Sequence, residues 1–113
     1  METRRQVLEH LIAFRHPLDR IQAALVTFPT DSPTEFVFLT SGDISRILRR
    51  YLDGALDGDQ VEDWANMLEG RDDVGFEEPQ ELVKETLHEL ANPLLTQPLT
   101  PERSLKLLLT LDP

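Results

Sequence analysis

Val61-Glu-Asp-Trp64-Ala-Asn-Met-Leu68-Glu-Gly70-Arg-Asp-Asp-Val-Gly75-Phe-Glu-Glu78 holds the only Trp of the chain, a dense run of carboxylates and two glycines. Val61, Trp64, Ala65 and Leu68 recur at i, i+3, i+4 and i+7, the spacing of one face of an α-helix. Glu62, Asp63, Asn66 and Glu69 fall elsewhere on the wheel and are expected to face water. Asp57 with Gln60 three residues on is a capping-box pair that starts this helix. Gly70 ends it, because a left-handed backbone costs little only for glycine. Arg71 to Gly75 then reads as a loop. An indole on the apolar face buries on the order of 200 Å², so Trp64 is predicted to anchor the core.

Outward from this stretch the same two signals recur, apolar spacing and caps. Upstream, Thr40 and Asp43 form a second capping-box pattern, and Ile44, Ile47, Leu48, Tyr51 and Leu52 mark an amphipathic helix that Gly54 closes. Glu35 to Leu39 is the only β-like run, and a single short run makes no sheet by itself. It reads as an extended apolar connection across the helices. Pro29 to Pro33, with Thr30 to Thr34 as a loop, separates it from two earlier helices. Those run from Glu2 to Phe14, capped at Thr3, and from Leu18 to Phe28 after Pro17. Downstream, Pro79 opens a helix with Val83, Leu87, Leu90 and Ala91 inward, and Asn92-Pro93 stops it. Thr100-Pro101-Glu102 combines a cap, a proline at the first position and an acid on the positive end of the dipole. Leu105 to Leu111 is apolar nearly all round, which predicts a helix buried within this chain or against a second copy.

The predicted fold class is therefore all-α: a compact bundle of five to six helices with at most one short extended segment. Residues 1–113 form one domain on this reading, with a possible N-terminal sub-part at 1–33. Helices Thr40 to Asp53 and Asp57 to Glu69 are expected to form an antiparallel or crossed pair around Tyr51 and Trp64. A chain of 113 residues buries roughly two-thirds of its unfolded surface and needs no staple.

Composition excludes much chemistry. There is no Cys, hence no disulfide, thiolate metal site or thiol nucleophile. A cysteine-free chain suits a reducing cytoplasm. No apolar run reaches membrane-spanning length, and residues 1–14 lack a secretory h-region. The net charge is −10, and it is uneven. Asp53 to Glu89 holds thirteen carboxylates against Arg71 and Lys84, a net of −11, which leaves about +1 for the rest. A helix-turn-helix reading fails, because Gly58 to Glu69 offers no Lys or Arg to phosphate and carries four acids. Arg46, Arg49 and Arg50 are expected to pair with that acidic helix instead.

Three metal patterns are incomplete. Glu85-Thr-Leu-His88 matches the Glu-x-x-His element of di-iron bundles, but no second copy follows. Glu85 and His88 read more simply as a surface i, i+3 pair. Asp53, Asp57, Asp59 and Glu62 miss the spacing of a calcium loop. Asp72 and Asp73 read as a turn bonding its own backbone. No glycine-rich phosphate loop or nucleophile elbow is present. No catalytic residue, cofactor or metal is assigned.

The Trp64-Ala65 pair, the Arg71-Asp72-Asp73 loop, Leu90-Ala-Asn-Pro93 and Leu99-Thr-Pro101 resemble a group of small, acidic bacterial helical proteins of unassigned function. The resemblance runs from Leu39 to Leu111. In general character the chain is also similar to helical immunity proteins, which neutralise basic toxins by direct contact. That likeness implies a basic protein partner; the acidic charge and the lack of a spanning apolar run speak against nucleic acid and membrane. The expected contact surface is Glu62, Asp63, Glu69, Arg71, Asp72, Asp73 and Glu77. Two alternatives stand beside it. One is a small enzyme or ligand-binding protein in which Arg71 holds an anion and Asp72 or Asp73 acts as a base. The other is a structural homo-oligomer joined through Phe36, Phe38 and the last helix, for which a homodimer is the simplest form.

Overall fold

The computed structural model describes residues 2–29 and 31–112. Thr30, in the loop predicted between the second helix and the extended run, lies outside them. In chain order the elements are α1 (Arg4–Ala13), α2 (Leu18–Leu25), β1 (Val37–Leu39), α3 (Ser41–Leu52), α4 (Gly58–Leu68), β2 (Val74–Phe76), α5 (Gln80–Ala91) and α6 (Pro101–Leu111). The protein is a mostly helical bundle, as its periodicity predicts. Among the described residues no helix is long and apolar enough to cross a membrane.

The caps form where the sequence places them. Thr3 with Gln6, Thr40 with Asp43 and Asp57 with Gln60 each close a reciprocal capping box, and the Thr100 hydroxyl accepts from the Arg103 backbone N–H. Each such cap contributes about 1 kcal/mol by satisfying orphan N–H groups. Gly54 and Gly70, both at φ +83°, leave α3 and α4 in the left-handed region. Phe14 does the same for α1 at φ +49° without being a glycine. It is buried, and Arg50 holds it there. The Arg50 guanidinium donates to the carbonyls of Ala13 and Phe14 at 3.2 Å each and lies 5.3 Å from the centre of the Phe14 ring. The predicted pairing of Arg46, Arg49 and Arg50 with the acidic helix is thus corrected. Arg50 caps α1, Arg49 pairs with Asp112, and Arg46 pairs with Asp43 on its own helix.

Trp64 is fully buried at the centre, among Leu8, Leu11, Leu48 and Leu68 of the same core. Its Nε1–H donates to the Leu11 carbonyl at 2.7 Å, so α4 is tied to α1. The predicted pair of α3 and α4 is in contact but is not the main packing: α4 packs chiefly on α5, and α3 on α6. Tyr51 instead points its hydroxyl at the Leu99 carbonyl. The last helix also differs from expectation. Ser104, Leu107 and Leu111 form its buried stripe, while Leu105 and Leu109 stand in solvent at 55% and 71% exposure.

A second extended segment, β2, begins inside the predicted Arg71 to Gly75 loop and runs past it. It pairs in parallel with β1, with Val37 opposite Val74, Phe38 opposite Gly75 and Leu39 opposite Phe76. Parallel strands need a long crossover, and α3 with α4 supplies it. A Cβ at Gly75 would lie 2.6 Å from the Glu35 carboxylate and 2.8 Å from the Phe38 ring, so these two exposed side chains would have to move aside. The Glu78–Pro79 bond that follows is cis, and α5 begins directly after it.

α5 and α6 are joined by a two-pronged ion pair. Arg103 Nε and Nη2 donate to Glu89 at 2.7 and 2.6 Å, and the bond to Glu89 raises the Arg103 pKa above its ordinary value. The pair is only partly shielded from water, so its contribution is modest. Glu89→Gln is expected to lower stability by about 1 kcal/mol. A double-mutant cycle with Arg103→Ala in urea unfolding measures it, and a coupling near zero would contradict the assignment.

Candidate functional site

The structure scatters the seven residues predicted as one contact surface. Asp63 is exposed beside α2, in a shallow hollow with Leu18, Asp19 and Gln22. Glu62 is half-buried on the opposite flank, near Leu90, Pro93 and Leu99. Glu77 faces the far side of the strand pair, near Arg5, Arg15 and Arg46. Only Glu69, Arg71 and Asp72 meet in one place.

Asp73 is corrected outright: it is not on the surface. Its side chain has no exposure, because β2 begins directly after it and turns its carboxylate inward. Arg71 grips it in two-pronged fashion, Nε to Oδ1 and Nη2 to Oδ2, both at 2.9 Å. Arg4 of α1 donates its Nε to Oδ2, also at 2.9 Å. Arg4 continues to the carbonyls of Pro29 and Asp31 and lies 5.0 Å from the centre of the Phe36 ring. The Asp73 carbonyl accepts from the Phe36 N–H at 2.8 Å. One residue therefore clasps α1, the loop before β1 and both strands. Burial by itself would raise the Asp73 pKa, but the bonds and charges of Arg71 and then Arg4 outweigh it and hold the carboxyl below its ordinary value. A carboxylate so held is a poor general base. Arg71, spent on Asp73, has little left for an external anion. The geometry therefore does not favour Asp73 as a base beside an Arg71 anion holder.

A groove of about 470 Å³ opens where α4 ends, bounded by Glu69 to Asp72, Phe76 of β2 and the outward side of α5. Leu87, itself almost fully buried, and Phe76 form its apolar part. Glu69 sits at the negative end of the α4 dipole, an unfavourable place for a carboxylate. Two groups from α5 compensate: His88 Nδ1 lies 2.8 Å from Glu69 Oε2, and Asn92 Nδ2 donates to Oε1 at 2.9 Å. The predicted surface pair of Glu85 with His88 is thus replaced by one between His88 and Glu69. Glu85 and Asp72 have no ion-pair partner among the described residues. Lys84 places its ammonium 5.8 Å from the centre of the Phe76 ring.

The α5 side of the groove, namely Lys84, Glu85, Leu87 and His88, is absent from the predicted contact surface. Lys84 and His88 stand four apart and share a helical face, a spacing readable from sequence. What faces that side is a tertiary matter. Among the described residues no three His, Asp or Glu side chains are grouped to hold a metal ion. Comparison with known proteins returns no similar family model, curated sequence or solved structure.

Proposed function

We propose that this chain is a non-catalytic interaction domain, immunity-like in manner, that occupies a basic protein through its acidic half. The observation that carries the reading is the charge of Asp53 to Glu89, thirteen carboxylates against Arg71 and Lys84. The fold leaves that imbalance in place: the Arg71–Asp73 pair withdraws one charge of each sign, and Lys84 stays as the outward base of this segment. Complementary charge speeds encounter and selects among partners. The absence of cysteine goes with a cytoplasmic setting.

Affinity capture from the native lysate, at low and high salt, tests this. The expected result is a basic protein retained at low salt, released at high salt, and held several-fold less by Asp72→Asn/Glu85→Gln. Both positions are exposed, so the double variant should fold normally. Asp73 is unsuitable for this purpose, because its loss would disturb the clasp. Retention of the same proteins by wild type and variant at both salt concentrations would refute the proposal.

A further inference from the structure

We infer that the groove between the end of α4 and the outer side of α5 seats an apolar side chain of a basic partner segment, a leucine- or phenylalanine-type residue flanked by Lys or Arg. This rests on the acidic-surface reading above and assigns it a place and an occupant.

Shape and charge agree on that occupant. The groove's 470 Å³ is within the usual range for a binding pocket, and Leu87 with Phe76 gives it an apolar lining into which a side chain can desolvate. Its border is anionic. Glu69, Asp72 and Glu85 contribute three carboxylates, against Lys84 and an Arg71 that is turned to Asp73, a partner it shares with Arg4. The C-terminal end of the α4 dipole, at Gly70, adds partial negative charge to the same border. An anionic or wholly neutral segment would forfeit these contacts. Glu69 is held in place by His88 and Asn92, so the border is ordered before anything binds, which lowers the cost of association.

The test is a ¹⁵N amide titration of the full chain at low salt with two synthetic peptides of equal charge, Lys-Lys-Leu-Lys-Lys and Lys-Lys-Ser-Lys-Lys, both blocked at their ends. The leucine peptide is expected to shift the Gly70, Phe76, Leu87 and His88 amides and to bind about tenfold more tightly than the serine peptide. Asp72→Lys/Glu85→Lys, changed only at exposed positions, is expected to abolish those shifts. Equal affinity for the two peptides, with shifts spread along α4 and α5, would overturn the groove and leave the acidic-surface reading intact. Shifts centred instead on Glu62, Leu90 and Leu99 would also overturn the groove. No shifts with either peptide would sink both proposals together.

Discussion

Trp64→Ala is expected to lower the unfolding free energy by about 3–5 kcal/mol, read as a fall in the urea midpoint by far-ultraviolet circular dichroism. The indole has no exposure, so its removal costs both transfer energy and a cavity between α4 and its neighbours. It also deletes the Nε1–H bond to the Leu11 carbonyl. Trp64→Phe separates these contributions: it keeps most of the apolar volume and loses the donor, and about 1–2 kcal/mol is expected. Leu11 still accepts from the Phe14 N–H, which limits that loss. Domains of this size are stable by roughly 5–15 kcal/mol, so the alanine variant approaches unfolding. A midpoint within error of wild type would mean that Trp64 does not anchor the core.

What could be read from the sequence was local. The caps at Thr3, Thr40, Asp57 and Thr100 are short-range patterns, and each formed. The inward placement of Val61, Trp64, Ala65 and Leu68 followed from helical spacing. β2 was not legible: Val74-Gly75-Phe76 is too short to show alternation, and its partner lies some 37 residues upstream, across α3 and α4. The divergent fates of Asp72 and Asp73 follow from this. Adjacent residues entering a strand point to opposite sides, and until the strand is known the two acids look equivalent. The groove was half legible for a similar reason. Its α4 side came with the acidic stretch, but which helix faces it depends on α4 packing against α5. The last helix shows the limit of composition: with Leu at 105, 107, 108, 109 and 111, only the packing partner selects the Ser104, Leu107 and Leu111 stripe.

Asp73→Asn is expected to cost about 3–5 kcal/mol, because it leaves two largely buried guanidiniums facing a neutral amide. The side chains of Arg4 and Arg71 are only 14% and 9% exposed, so water cannot take the carboxylate's place. The same group sets an acid sensitivity. Its pKa is lowered on folding from an ordinary value of 3.8, so the unfolded chain binds this proton more readily than the native one. The stability it supplies is fully present above its unfolded pKa and is lost as pH falls through the lower, folded value. Wild type should therefore lose stability steeply below about pH 4, and Asp73→Asn, lacking that proton-linked contribution, should show a shallower decline over the same range. Urea unfolding of both proteins between neutral and strongly acid pH measures the two slopes. Parallel curves would show that the clasp does not depend on the charge of Asp73. A local origin for the effect has its own signature: amides of β1 and β2 should lose exchange protection before those of α4, since Asp73 ties the strand pair to α1 whereas α4 keeps its bond through Trp64.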